Sequence, residues 1–226
     1  MNQLLLGIAP DWVPTLDNFV SGHNVELLER LRHALLGEGE RSIYLWGEAG
    51  SGKSHLLRAL VVAAQELGLS AEYAVANVPV VADVIAVDDV HTLDGEAQIA
   101  LFALYNQMRD SGGLLLVSGT MAAMQLGLRD DLRTRLGWGL VYEVHCLSDE
   151  EKAQALQRHA YARGLELPSE VIQYLLRHGR RDLPALLTTL DALDELCLRL
   201  KRWPSVPLLR EVMQTASQAD LPFNTD

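Results

Sequence analysis

The chain has 226 residues, of which 49% are hydrophobic, and its 19 basic and 30 acidic side chains give a formal net charge of −11. This length suits one large domain or a core domain with a small companion, and the negative charge argues against general binding of a phosphate backbone unless a local basic patch exists. No stretch approaches the roughly 18 to 20 apolar residues that cross a bilayer, and the start of the chain lacks a secretory signal pattern, so a soluble cytoplasmic protein is expected.

The first part of the chain alternates between strand and helix patterns. Residues 1–14 are predicted to be an extended N-terminal tail, because Pro10 and Pro14 disfavour a helix there. Apolar runs that predict strands lie at residues 43–46, 72–76, 84–88, 114–118 and 141–144. Apolar residues at helical spacing lie at residues 24–36, 53–67 and 96–109. This alternation over residues 15–146 predicts an α/β domain with a parallel five-stranded sheet flanked by helices.

After His145 the strand patterns stop and helical patterns continue. Ser148 and Glu151 have the spacing of a capping box, which predicts a helix from there to about residue 163. Further helices are predicted at residues 170–178, opened by Ser169, at residues 182–200, and after Pro207. Residues 147–226 are therefore predicted to form a small all-helical domain, with a nucleotide site near its junction with the first domain.

A phosphate-binding motif follows the first predicted strand. It fits the pattern G-x-x-x-x-G-K-[ST] and consists of Gly47, Glu48, Ala49, Gly50, Ser51, Gly52, Lys53 and Ser54. The glycines let backbone amides turn toward phosphates, and the start of the following helix adds positive potential. Lys53 is expected to reach the β- and γ-phosphates and Ser54 to bind Mg²⁺. The motif and its strand–helix context predict binding of a nucleoside di- or triphosphate with Mg²⁺.

Two carboxylates end the predicted strand at residues 84–88. Asp88 is expected to hold the hydration shell of Mg²⁺, and Asp89 to orient the attacking water. Aspartate reaches less far than the commoner glutamate, so slow basal hydrolysis is expected. The strand predicted at residues 114–118 ends at Ser118, and Thr120 follows it. Either a γ-phosphate contact or a simple strand-end cap fits these two residues.

Other patterns support no further enzyme class. The seven histidines include no pair at metal-ligand spacing, no nucleophile-elbow serine is present, and the two cysteines, Cys146 and Cys197, are far apart. Residues 129–139 alternate in charge, which by itself indicates a solvent-exposed helix face. Trp46 and Trp138 are predicted to be core residues.

Four segments together resemble one protein family. They are residues 15–24, the phosphate-binding motif, the strand that ends in Asp88 and Asp89, and residues 134–139. This combination resembles the DnaA-related AAA+ family and, within it, the Hda regulatory inactivators. The similarity continues through residues 147–152 and 189–194, so it covers nearly the whole chain. It implies an AAA+ P-loop nucleotide-binding domain followed by a helical lid domain.

The resemblance assigns further residues to the nucleotide site. Arg135 takes the position of the arginine finger, which is offered to nucleotide bound by a neighbouring subunit and stabilises charge on the transferred phosphoryl group. Arg181 takes the position of the lid arginine; an ordinary helix-start arginine is the alternative, with Arg180 beside it. The remaining expected nucleotide contacts are Phe19, Val20, His55 and Thr120. ADP or ATP with Mg²⁺ is the expected cofactor, and ADP is the state that the family implies.

The N-terminal tail resembles the peptide with which Hda proteins dock onto the DNA sliding clamp. Its expected anchors are Gln3, Leu4, Leu6 and Ile8, and Gly7 stands where proline is common, which should raise the ordering cost of binding. The implied partners are the DnaA initiator and the β-subunit sliding clamp of DNA polymerase III. A homodimer of this chain is also compatible with the resemblance. No specific DNA binding is expected, because the chain ends without a helix-turn-helix domain and residues 77–83 are too few for a helical insertion.

The resemblance implies a regulator of replication initiation. With the DNA-loaded clamp, it would stimulate hydrolysis of DnaA-bound ATP through Arg135 and so prevent re-initiation, and it would need little ATPase activity of its own. An autonomous AAA+ ATPase that remodels a protein or loads a helicase is the alternative, because Lys53, Asp88 and Asp89 permit turnover. A DNA-binding initiator fragment is a third hypothesis, which the acidic charge disfavours.

Overall fold

The computed structural model describes residues 13–219, and this range divides between residues 146 and 147 into two compact units. We call residues 13–146 the body and residues 147–219 the lid unit. The predicted clamp-docking residues Gln3, Leu4, Leu6 and Ile8 lie outside the described residues. Over the described range, no helix has both the length and the apolar character needed to cross a membrane.

The body is built on one parallel sheet. Its strands are β1 (Ser42–Trp46), β2 (Ala71–Val75), β3 (Val84–Asp88), β4 (Leu114–Gly119) and β5 (Leu140–Glu143). The strand order is β2-β3-β4-β1-β5, and every neighbouring pair is parallel. The predicted parallel five-stranded sheet is therefore confirmed. The edge strands β2 and β5 lie one residue earlier than predicted, because pairing with β3 and β1 sets their ends.

Helices cover both faces of this sheet. They are α1 (Val25–Leu35), α2 (Lys53–Glu66), α3 (Gly95–Ser111) and α4 (Asp130–Leu136), with short 3-10 helices at Gly22–Asn24, Val90–Thr92 and Ala123–Gln125. Leucines of α1 and α2 form one core with alternate residues of the sheet, such as Leu45 and Ala86. Leucines of α3 and α4 form a second core with the intervening residues, such as Ile85 and Val87. The central strands β3 and β4 are consequently buried along their whole length.

The direction of the strands decides where the polar residues meet. Because β1, β3 and β4 are parallel, their carboxyl ends lie at the same edge of the sheet. The phosphate-binding motif follows β1, Asp88 ends β3, and Ser118 is the penultimate residue of β4. Ligands of open parallel sheets bind outside this edge, so the fold places the candidate site there.

The lid unit contains only helices. They are α5 (Asp149–Ala162), α6 (Ser169–His178), α7 (Leu183–Leu200) and α8 (Val206–Ala219). Their shared core is formed by buried side chains that include Leu156, Val171, Leu175, Leu190, Leu193 and Leu209. The predicted capping box is confirmed: the Ser148 amide donates to Glu151 Oε2 at 2.8 Å, and the Glu151 amide donates to Ser148 Oγ at 3.2 Å.

Two predicted helix starts are wrong by one or two residues. Pro168 is the N-cap of α6, so Ser169 is its first helical residue and does not cap it. α8 begins at Val206, so Pro207 lies inside the first turn and the helix does not follow it. Proline is tolerated there because the amides of a first turn have no partner within the helix.

Candidate nucleotide-binding site

The loop between β1 and α2 contains glycines at positions where a side chain would collide with neighbouring residues. Gly47, Gly50 and Gly52 have φ angles of 147°, 82° and 102°. A Cβ at Gly47 would lie 2.5 Å from the carbonyl oxygen of Val144, and a Cβ at Gly52 would lie 2.7 Å from the ring of Phe19. Gly47 and Gly52 are therefore required by close packing as well as by backbone angle, and Gly50 by backbone angle.

The start of α2 and the loop before it have free hydrogen-bonding capacity. Within residues 13–219, no side chain caps the first turn of α2, so its amides remain available to an anion. The Ser51 hydroxyl is buried and has no hydrogen-bond partner in the described chain. An orphaned donor and uncapped amides beside a glycine cradle fit the phosphates of a nucleotide.

Lys53 lies over this loop and is almost fully buried. Its Nζ donates to the carbonyl oxygens of Gly47 and Glu48, each at 2.8 Å. Burial lowers the pKa of Lys53, and the charges of Asp88 and Asp89 oppose that shift. Ser54, the next residue, is exposed on the first turn of α2. The motif thus combines a fixed cation with an accessible hydroxyl.

Asp88 is held by donors on both carboxylate oxygens. Its side chain is 2% exposed at the end of β3. Oδ1 accepts a hydrogen bond from the Ser118 hydroxyl and another, at 3.1 Å, from the amide of Asp89. Oδ2 accepts from the hydroxyl of Tyr73 at 2.8 Å. The expected Mg²⁺-supporting carboxylate is therefore oriented by groups from β2, from β4 and from the turn after β3.

Asp89 has the opposite environment to its neighbour. Its backbone is in the left-handed region, with φ 54° and ψ 45°, and its amide also donates to Ser118 Oγ at 3.1 Å. Its side chain is 44% exposed, with an oxygen 4.0 Å from Nδ1 of His91. Aspartate is among the residues that tolerate this backbone conformation. The turn therefore buries the first carboxylate and exposes the second.

The two polar candidates at the end of β4 have different positions. Ser118 is fully buried and makes the contacts with Asp88 and Asp89 described above. Thr120 lies beyond the end of β4, is exposed, and makes no hydrogen bond to either aspartate in the described chain. The sequence left a γ-phosphate contact and a strand-end cap open for both residues. Ser118 lies within β4 and contacts the aspartates, whereas Thr120 lies outside the strand and is exposed.

Phe19 and His55 connect the start of the body to the phosphate loop. The Phe19 ring lies against Gly52 and tilts toward the ring of His55, with centroids 5.5 Å apart. His55 Nε2 is 3.0 Å from the carbonyl oxygen of Thr15. Burial lowers the pKa of His55, and the contact with Thr15 opposes this. Val20, which was also expected to contact nucleotide, is half-buried.

A cleft of about 590 Å³ opens beside the phosphate loop. It is lined by His23, Glu48, Glu143, Val144, His145 and Cys146. Asn24 supports its wall: the side-chain amide donates to the carbonyl of His145 at 2.9 Å and accepts from the amide of His145 at 2.8 Å. Sequence reasoning missed this wall, because residues 121 positions apart carry no local signal of their contact.

Arg135 lies at the end of α4 against two aromatic rings. Its guanidinium carbon is 4.0 Å from the centroid of Trp138 and 5.7 Å from that of Phe102. Trp138 is 58% exposed, so the prediction that it belongs to the core is wrong. The helix ends before it, and its ring covers the arginine instead of entering the sheet. Trp46 is half-buried and packs against the core of α3 and α4.

Arg181 and its neighbour differ in their contacts. Arg180 pairs with Asp182, the N-cap residue of α7, with Nε and Oδ2 3.4 Å apart. Arg181 is exposed. The ion pair occupies Arg180, so of the two arginines Arg181 keeps its guanidinium available.

Comparisons with known proteins match both parts of the chain. The family model "Hda, lid domain" matches residues 149–213. Domain III of the replication initiation protein DnaA from Thermotoga maritima has a similar structure, with a TM-score of 0.72 and 20% identity over 89% of this chain and 95% of that one. AMPPCP-bound DnaA from Aquifex aeolicus matches with a TM-score of 0.67 and 24% identity over 83% of this chain and 66% of that one.

A further match widens the fold assignment. The Holliday junction branch migration motor RuvB of Thermotoga maritima has a TM-score of 0.65 and 19% identity, over 89% of this chain and 72% of that one. At these identities the structural matches establish the AAA+ fold, and the lid-domain model adds the finer assignment. Residues 149–213 match the Hda lid-domain family and the chain has the AAA+ fold, and the two findings together support an Hda-like, DnaA-related AAA+ protein.

Proposed function

We propose that this protein is an adenine-nucleotide-dependent regulator of replication initiation, which works with the DNA-loaded sliding clamp to stimulate hydrolysis of ATP held by the DnaA initiator. One observation carries the proposal: an Hda lid domain follows a body in which a complete phosphate loop lies beside a buried, fully bonded carboxylate. This combination suits a protein in which bound nucleotide maintains the conformation of the chain.

The phosphate loop, Lys53 and the two aspartates fit an adenine nucleotide with Mg²⁺. Lys53 would neutralise phosphate charge, while Ser54 and Asp88 would hold the metal directly or through its water shell. Bound Mg²⁺ would supply further neutralisation of that charge. The choice of adenine is supported by two DnaA structures of this fold that carry AMPPCP.

Arg135 is the group we propose to act on the initiator's ATP. Its guanidinium has no carboxylate partner among the described residues, so its five donors remain available to phosphate oxygens. The ring of Trp138 restricts the arginine without neutralising it. A preoriented cation of this kind loses little freedom when it meets the charge that develops on a transferred phosphoryl group.

The N-terminal residues Gln3, Leu4, Leu6 and Ile8 would dock onto the clamp. Tethering both proteins to one DNA-bound clamp raises their effective concentration without adding contacts between them. Inactivation of the initiator would then depend on clamps loaded by ongoing synthesis.

The test is hydrolysis of labelled ATP prebound to DnaA, measured with this protein and a clamp loaded on DNA. We expect the wild type to accelerate hydrolysis, and both Arg135→Ala and a variant without residues 1–8 to lose the acceleration. Arg129→Ala removes an exposed arginine close to the same helix, paired with Asp131, and should behave as the wild type. Full activity of Arg135→Ala would contradict the proposal.

An autonomous ATPase is the second candidate, because Lys53, Asp88 and the exposed carboxylate of Asp89 are assembled in the chain's own site. A partner-free assay separates the two. Rapid turnover of ATP by the isolated protein, with no effect on DnaA-bound ATP, would favour the autonomous enzyme.

A further inference from the structure

Tyr73 makes a contact that none of the sequence motifs indicates. It lies in the middle of the edge strand β2, where it pairs with Ala86 of β3, while Val75 pairs with Asp88. Residues two positions apart point to the same face of a sheet, so Tyr73 and Asp88 are diagonal neighbours within reach of a long side chain. The Tyr73 hydroxyl accordingly donates to Asp88 Oδ2 at 2.8 Å.

The Tyr73 ring is held from the helix that follows the phosphate loop. The guanidinium carbon of Arg58 lies 4.9 Å from the ring centroid. Arg58 is four residues after Ser54 in α2, and residues at this spacing share one face of a helix. Contacts therefore run from the face of α2 that carries Ser54, through Arg58 and Tyr73, to the carboxylate of Asp88.

The hydroxyl has a different function from the ring. A phenylalanine would pack equally well against the core of α1 and α2, where the Tyr73 ring is half-buried. The hydroxyl, in contrast, is the donor that reaches Oδ2, whereas Ser118 and the Asp89 amide both bond Oδ1. Without it, one oxygen of a buried carboxylate would lose its partner and the group would be held at one end alone.

We propose that Tyr73 is a positioning residue, which fixes the orientation of Asp88 and thereby supports the Mg²⁺-dependent part of nucleotide binding. The inference rests on the nucleotide–Mg²⁺ site of the proposed function and names a residue that orients its acidic group. Tyr73 itself does not touch the nucleotide, and Arg58 supports its ring.

The test compares the affinity for a fluorescent ADP analogue in Mg²⁺ and in EDTA. We expect Tyr73→Phe to lose about tenfold in affinity with Mg²⁺, as for loss of a hydrogen bond to a charged group, and to stay within about twofold of the wild type in EDTA. Tyr142→Phe is the matched control. Tyr142 lies on the opposite edge strand, packs on the same core, and has its hydroxyl 3.4 Å from Glu26 at the surface.

A double-mutant comparison checks that Tyr73 works through Asp88. In an Asp88→Asn background, the Tyr73→Phe change should have no further effect on the Mg²⁺ dependence. Arg58→Met, which keeps an apolar stem, should give a smaller loss in the same direction as Tyr73→Phe.

The outcomes separate this inference from the proposed function. Equal losses of affinity by Tyr73→Phe in Mg²⁺ and in EDTA would indicate general damage to the fold and would overturn the inference, as would an unchanged Mg²⁺ dependence. If the wild type binds no nucleotide, the proposed nucleotide site fails and the role of Tyr73 fails with it. Retained circular dichroism and thermal midpoints would show that the variants are folded.

Discussion

Asp88 and Asp89 are neighbours in the chain, yet the backbone gives them opposite environments. Asp88 is buried and bonded on both oxygens, whereas the left-handed turn at Asp89 exposes the second carboxylate. Burial decides which of two chemically identical groups is held still and which can meet water. The same difference in burial separates Ser118, which is buried, from Thr120, which is exposed.

The Trp138 ring should matter for the action of Arg135 on a partner. A cation–π contact at an exposed site contributes about 1 kcal/mol, so Trp138→Ala should reduce stimulation of DnaA-bound ATP hydrolysis by about fivefold. Nucleotide binding by the protein itself should stay within about twofold. Trp203→Ala removes another exposed tryptophan, in the lid unit, and should leave stimulation unchanged. Equal stimulation by wild type and Trp138→Ala would show that the stacking is incidental.

His55 should make the body less stable at acidic pH. Because burial lowers its pKa below the ordinary 6.5, the unfolded chain binds the proton more tightly than the folded chain. Stability therefore rises with pH through the window between the folded pKa and 6.5, and it is lost as the pH falls through that window. We expect the free energy of unfolding, measured with urea at pH 7.5 and 5.5, to fall less in His55→Gln than in the wild type.

The control for His55 is His178→Gln, because His178 is exposed at the end of α6. The free energy of unfolding of His178→Gln should vary with pH as it does in the wild type. An identical fall in stability for His55→Gln and the wild type would show that His55 is not responsible.

At the scale of elements, the junction of β1, the phosphate loop and α2 is where backbone geometry matters most. The loop passes so close to Val144 and Phe19 that a single methyl group would collide. Helix and strand existence followed from apolar periodicity, but these close approaches depend on segments about 30 and 100 residues away. The motif therefore predicted the loop, and packing explains why a side chain at Gly47 or Gly52 would collide.

Gly52→Ala should damage the site more than a comparable substitution elsewhere. Gly52 and Gly39 both have positive φ, but a Cβ meets the Phe19 ring at Gly52 and nothing within 4 Å at Gly39. The backbone strain costs about 1 kcal/mol in each variant, and the collision adds to it only at Gly52. We expect Gly52→Ala to lose nucleotide affinity and thermal stability, and Gly39→Ala to lose only a little stability. Equal effects in both variants would argue against the collision.

At the scale of the whole molecule, the body has a hydrophobic core on each face of its sheet, and the lid unit has a core of its own. A nucleotide held by the body should stabilise it by linkage, since the unfolded chain has no phosphate loop. At ADP concentrations about 100 times the Kd, with Mg²⁺, the gain is about 2.7 kcal/mol.

Thermal unfolding with and without Mg²⁺–ADP measures this gain. We expect a raised midpoint for the wild type and a much smaller rise for Lys53→Ala, because that variant lacks the buried cation of the loop. Lys201→Ala, which removes an exposed lysine in the lid unit, should respond as the wild type. A full shift in Lys53→Ala would place the nucleotide elsewhere.

The sequence by itself determined most of the strands and helices to within one or two residues, the parallel α/β class and the phosphate motif, because these depend on local periodicity and on residues that are adjacent in the chain. Only the tertiary structure decided that Ser118 and Tyr73 hold Asp88, that Asn24 supports the cleft wall, and that Trp138 lies outside the core against Arg135. These contacts arise from strand register and close packing between distant segments, and no local pattern of residues records them.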